Sequence, residues 1–96
     1  MKTEEIYFPS LENIKQAALN LKDVAYVTPL IQNQNLSKEF QSTILFKRED
    51  LQVVRSYKIR GAYNKISSLT LDEKQQGIVC ASAGNHAQGV ALSCKL

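Results

Sequence analysis

Apolar positions recur along this chain in two rhythms. Leu11, Ile14, Ala18, Leu21 and Ala25 lie three and four residues apart, the spacing of one helical face, and Ser10 before them can accept a hydrogen bond from a free first-turn N–H. The spacing predicts an amphipathic helix over residues 10–22. Thr28-Pro29-Leu30 interrupts any continuation, because the residue before a proline is pushed toward extended geometry. Extended chain and a short helix near 36–40 follow. Thr43-Ile44-Leu45-Phe46-Lys47 is short, β-branched and aromatic, and predicts a strand. Residues 48–55 have no clean period and read as a loop. After Ser56, the residues Ile59, Ala62, Tyr63, Ile66 and Leu69 share a helical face, and Thr70-Leu71-Asp72-Glu73 then has the capping-box pattern. Gly77 suits the left-handed residue that ends a short helix. Ile78-Val79-Cys80-Ala81 predicts a buried strand, and Ala87, Val90, Ala91 and Cys94 mark a last helix over 86–96.

This alternation of helices and strands predicts the α/β class. Two strands are too few for such a sheet, whose usual size is about four to six, and the last helix reaches Leu96 without a Gly or Asn cap. The expectation is the front portion of a larger protein. Composition agrees with a globular origin: 44% hydrophobic and 22% charged residues exclude collagen-like, low-complexity and disordered architectures. A compact chain of 96 residues buries only about two-thirds of its unfolded surface, enough for one modest core and not for a deep pocket of its own.

The net charge of +3 is weak evidence for a polyanionic partner. Locally, however, Lys47, Arg48, Arg55, Lys58, Arg60 and Lys65 crowd one segment against Glu49 and Asp50, which raises an anionic ligand there. A nucleic-acid surface is the minor alternative, since the patch is small. No apolar run is long enough for a membrane span, and Met-Lys-Thr-Glu-Glu is not followed by a signal-peptide core, so no membrane partner is expected and the default compartment is cytoplasm. Cys80, Cys94 and the single histidine, His86, lack the spacing of a zinc site, and no metal is expected; the two cysteines read as structural buried thiols.

Two constellations carry chemistry. In Ser56-Tyr57-Lys58-Ile59-Arg60-Gly61-Ala62 a lysine opens a helix, where the partial positive charge disfavours an ammonium and favours the neutral, nucleophilic amine of a Schiff-base lysine. Gly61 and Ala62 would leave room on that face for a flat ligand; a solvated lysine on a closely packed helix is the alternative. In Ser82-Ala83-Gly84-Asn85-His86-Ala87-Gln88-Gly89 a strand, a tight turn and a helix start present free N–H groups that suit phosphate or carboxylate. The segment is neither a P-loop nor a dinucleotide fingerprint. Asn85 can instead be a helix cap, and His86 a capping or packing residue. Together, an amine nucleophile and an anion-binding turn meet the needs of a pyridoxal-phosphate enzyme.

These two segments, with Lys47-Arg48-Glu49-Asp50-Leu51-Gln52 and Thr28-Pro29-Leu30, closely resemble the N-terminal part of the biosynthetic threonine dehydratases (threonine ammonia-lyases), which are fold-type II, tryptophan synthase β-like pyridoxal-phosphate enzymes. The likeness runs from about residue 14 to the end. It implies that residues 1–96 are an incomplete part of the catalytic domain, with the small subdomain beginning near 82. It further implies that Lys58 carries pyridoxal 5'-phosphate as a Schiff base and acts as base at the substrate α-carbon, that Tyr57 stands beside the cofactor where Phe is usual, and that Asn85 hydrogen-bonds the cofactor's ring hydroxyl. Ser82, Ala83, Gly84, Asn85 and His86 would receive the substrate carboxylate. The implied reaction converts L-threonine to 2-oxobutanoate and ammonia for isoleucine synthesis, in a homo-oligomeric parent.

Val53-Val54-Arg55 departs from the Pro-Val-Phe of many members, and Ala83 stands where racemase relatives carry a second serine able to act as a base, which favours a dehydratase. The family's glycine-rich phosphate loop is not in these residues, so the chain alone is expected neither to bind the cofactor specifically nor to turn over threonine. A serine dehydratase or related enzyme of the same fold type, and a noncatalytic truncated module, are the competing readings.

Overall fold

In the computed structural model, which describes residues 4–96, the local signals act where the sequence places them. Met1, Lys2 and Thr3 of the polar start lie outside the described residues. Ser10 Oγ accepts the Asn13 N–H at 3.1 Å and opens α1 (Leu11–Leu21). Strand β1 (Leu30–Gln32) follows Pro29, and Asn33 Oδ1 then accepts the Leu36 N–H at 2.9 Å to start α2 (Gln34–Glu39). Strand β2 (Leu45–Lys47) returns antiparallel to β1, pairing Leu30 with Lys47, Ile31 with Phe46 and Gln32 with Leu45. The unpatterned stretch after β2 folds into two 3-10 turns, Glu49–Leu51 and Val53–Arg55, which lead into α3 (Lys58–Ser67). Thr70 and Glu73 close a reciprocal capping box at the start of α4 (Leu71–Gln75), and Gly77 takes φ +80° just beyond its end. The last helix, α5, spans Asn85–Lys95.

Helices α3 and α5 pack on one another and hold the core. Ile59, Ala62 and Val90 are the buried apolar side chains among the described residues. Helix α1 forms as predicted but buries none of its residues, with Leu11, Ile14 and Leu19 exposed; Asn20 Nδ2 donates to Asn64 Oδ1 at 3.1 Å between it and α3. The radius of gyration is 16.9 Å, against about 12.5 Å for a compact chain of this length. An arrangement this open leaves the apolar faces of α1, β1 and β2 uncovered.

Two expectations fail here. Ile78-Val79-Cys80-Ala81 is not a buried strand: it joins no ladder, and Val79 is 96% exposed. A strand exists only when a neighbour takes up its N–H and C=O groups, and the one sheet among the described residues is the β1–β2 pair. Cys80 and Cys94 are likewise exposed, not buried thiols. Cys80 goes with the unpaired segment. Cys94 lies off the inward face of α5, which is built from Gly89, Val90 and Ser93 instead of the predicted Ala91 and Cys94.

Candidate functional site

Lys58 is the first residue of α3 and half-buried. Its N–H reaches Ser56 Oγ at 3.4 Å, and its Nζ stands over the Tyr57 ring, 5.6 Å from the centroid, within range of a cation–π contact. Across from it, Ser82 Oγ accepts the N–H groups of Gly84 (3.0 Å) and Ala87 (3.1 Å) and so caps α5 from outside the helix. The cap is therefore Ser82, not Asn85, which is an exposed residue in the first turn. The Gln88 N–H goes to the Gly84 carbonyl at 3.0 Å, leaving the Asn85 and His86 N–H groups at the open helix end.

Lys58 and residues 81–86 line one open cleft of about 470 Å³. The structure thus brings together Lys58, Ser82, Ala83, Gly84, Asn85 and His86; Tyr57 does not line the cleft but lies beneath the lysine amine. Gly89 makes this juxtaposition possible. A Cβ there would meet the Lys58 carbonyl carbon and oxygen at 3.1 Å, so any larger residue would push α5 and the start of α3 apart by a few tenths of an ångström. The sequence offered one signal for it, a glycine inside a helix at a cost of about 1 kcal/mol. Gly61, by contrast, faces open space, with no atom within 4 Å of a Cβ built on it.

Linked to α3 through Arg60 is a polar cluster around Glu49 and Gln52, residues that the sequence presents as a motif without a role. Glu49 accepts from Arg60 Nε, from Thr28 Oγ1 (2.7 Å) and from Gln52 Nε2 (3.2 Å). The Arg60 guanidinium, helped by these hydroxyl and amide donors, lowers the Glu49 carboxyl to about 2. Gln52 clamps the Tyr26 peptide, accepting its N–H at 2.7 Å and donating to its carbonyl at 2.9 Å. Lys47 Nζ donates to the Thr28 carbonyl at 2.6 Å, and Arg48 pairs with Asp50 at 2.7 Å. Much of the local basic excess is thus tied to partners inside the fold.

The family model for pyridoxal-phosphate dependent enzymes matches residues 21–96. The chain belongs to this family. It is 55% identical over 85 residues to the biosynthetic L-threonine dehydratase of Bacillus subtilis, a match covering 88% of this chain and 20% of that protein. Among solved structures it is similar to maize serine racemase (TM-score 0.84, 31% identity, 93% of this chain and 28% of that one). It is also similar to the processed form of threonine deaminase isoform 2 from Solanum lycopersicum (TM-score 0.71, 40% identity, 91% and 25%). The chain spans about a fifth of the length of the curated relatives it matches. These likenesses bear out the α/β, fold-type II reading and the pyridoxal-phosphate cofactor.

The described residues fit that cofactor at its reactive end. The Lys58 amine, a first-turn Asn85 whose side chain caps no helix, and the helix-end N–H groups of α5 share a cleft. No helix among the described residues is long and apolar enough to cross a membrane.

Proposed function

We propose that this chain is the lysine-bearing part of a threonine dehydratase, converting L-threonine to 2-oxobutanoate and ammonia. The single observation that carries the reading is the shared cleft of Lys58 and the 82–86 turn, supported by the 55% identity to a biosynthetic dehydratase. When bound, pyridoxal phosphate supplies the electron sink for loss of the α-proton and the β-hydroxyl. Lys58 Nζ would anchor it covalently and, once displaced from it by the substrate amine, would be free to take the proton from the substrate Cα. The Asn85 and His86 N–H groups, at the positive end of α5, would hold the substrate carboxylate, with the Ser82–Gly84 turn keeping them aimed. Asn85 would orient the cofactor through its ring hydroxyl, and Tyr57 would support the lysine side chain.

Ala83 offers no ionisable group, which supports elimination over racemisation. Similarity to serine racemase keeps a second reading in view, a serine-acting enzyme of the same fold type. An isoleucine-pathway role, a cytoplasmic location, a homo-oligomeric parent and a small subdomain beginning near residue 82 belong to the same proposal. So does the need for polypeptide beyond these residues to seat the cofactor phosphate, since the four glycines here (61, 77, 84 and 89) form no glycine-rich loop.

The test is borohydride trapping of pyridoxal phosphate, followed by peptide mapping and turnover assays. A protein extended past Leu96 by its own coding sequence is expected to trap cofactor on Lys58, lose this in Lys58→Ala, and prefer threonine to serine. The 96-residue chain alone should do neither. Specific trapping on the isolated chain, or substantial D-threonine from the extended one, would overturn the respective parts of the proposal.

A further inference from the structure

Gln52 is polar yet only 1% exposed, and its carboxamide is fully engaged. Besides the Tyr26 peptide and Glu49, its Oε1 accepts the Val53 N–H at 3.0 Å. The next two residues leave the ordinary backbone regions: Val54 has φ +57° and Arg55 φ +60°, consecutive left-handed residues without a glycine, one of them β-branched. The Arg55 N–H closes the turn on the Gln52 carbonyl at 2.8 Å. Such a conformation persists only where its surroundings over-determine it. Gln52 reaches both the turn and a segment 26 residues earlier in the chain.

We propose that Gln52 is a positioning residue for Lys58, holding the left-handed Val54–Arg55 turn and thereby setting the rotation at which α3 begins. An α-helix turns by roughly 100° per residue, so a start displaced by one residue swings the Lys58 side chain out of the cleft. Gly89 packs against the backbone of that first residue of α3. The Glu49–Arg60 pair ties α3 to the same cluster.

The inference rests on Lys58 being the functional amine, and its test is independent of cofactor. Residue-resolved amide exchange on the protein reads the Arg60 N–H, which is bonded to the Tyr57 carbonyl at 3.0 Å in the first turn of α3. Gln52→Met, similar in volume but without the amide, is expected to speed exchange at Arg60 by about tenfold or more while the second half of α3 changes little. Adding Val54→Gly should restore the Arg60 protection, because glycine adopts positive φ without the Cβ penalty. Reductive methylation of Lys58, measured against Lys15, should shift and return in parallel. Uniform loss of protection across α3 and α5, no change at Arg60, or no protection there in the parent protein would each overturn the proposal. If Gln52→Met unfolds, the double variant decides: refolding with a protected first turn supports the proposal, and failure to refold reduces Gln52 to a tether and overturns it. Failure here leaves the trapping experiment on Lys58 unaffected.

Discussion

Gly89 of α5 lies against the backbone of Lys58 in α3, so close that a Cβ would stand 3.1 Å from the Lys58 carbonyl carbon and oxygen and 3.2 Å from the Ile59 nitrogen. Two opposing effects decide what Gly89→Ala does. Alanine favours a helix interior by about 1 kcal/mol, whereas forcing a methyl into a packed contact costs about 1–3 kcal/mol. The contacting atoms are backbone, in the first turn of a helix that the Glu49–Arg60 pair also holds, so the cost should win. We expect Gly89→Ala to lower stability by roughly 1 kcal/mol in urea unfolding and, in the protein extended past Leu96, to reduce cofactor trapping on Lys58. Gly61→Ala, with nothing near its Cβ, should raise stability by about 1 kcal/mol. Equal effects at the two positions would refute the close approach as the reason for Gly89.

Ser82 and Asn85 divide two tasks that look alike in sequence. Ser82 Oγ takes the Gly84 and Ala87 N–H groups, so Ser82→Ala should cost about 1 kcal/mol through fraying of α5. Asn85→Ala removes no cap and should stay within about 0.5 kcal/mol of the parent. The proposed roles predict that cofactor trapping falls in Asn85→Ala of the extended protein despite its unchanged stability. A large stability loss at Asn85 would return it to the capping role.

What could be read from the chain beforehand divides along one physical line. The helix starts at Ser10 and Thr70 and the stop at Gly77 were legible because each cap is satisfied within a few residues. The constellations around Lys58 and Asn85 were legible for the same reason, as both are contiguous. Strand β1 was not, since three residues show no alternation and gain their identity only by pairing with β2 across α2. Ile78–Ala81 erred in the other direction: its apolar composition suits a buried strand, but burial and pairing come from neighbours, and none is present among the described residues. Gln52 and Glu49 acquire their roles from Tyr26 and Thr28, contacts more than twenty residues away that no local pattern encodes. The inward face of α5 was misread because smallness at Gly89 and Ser93, not hydrophobicity, selects it.

Both thiols should be accessible in the folded chain. Cys80 lies on the unpaired segment and Cys94 near the end of α5, each exposed. Ellman's reagent without denaturant is expected to titrate two thiols per chain, and denaturant should add none. If polypeptide beyond these residues covers the 78–81 segment, a longer protein should lose the Cys80 signal. A chain of this length that reacts only after unfolding would restore the buried reading.

The Glu49 carboxyl gives the fold a defined acid sensitivity. Its pKa is lowered from 4.5 to about 2, first by the Arg60 hydrogen bond and then by Thr28 and Gln52, against the opposing effect of burial. A depressed carboxylate stabilises the folded state fully above its unfolded value, and that contribution is lost as pH falls from about 4.5 toward 2. The full shift would correspond to roughly 3 kcal/mol, but water reaches part of the Arg60 side chain and weakens the pair, so about 1–2 kcal/mol is expected. Urea midpoints for the parent and Glu49→Gln, taken near pH 6 and near pH 3, isolate this contribution, because the surface pairs Arg48–Asp50 and Thr70–Glu73 remain in both proteins. The parent should lose more stability on acidification than the variant by somewhat more than half of that amount, about 1 kcal/mol, because pH 3 lies part-way between the unfolded and folded values. Identical acid sensitivity in the two proteins would mean that Glu49 is not ionised against Arg60 in the folded state, and the cluster around Glu49 and Gln52 would then be held by its neutral hydrogen bonds alone.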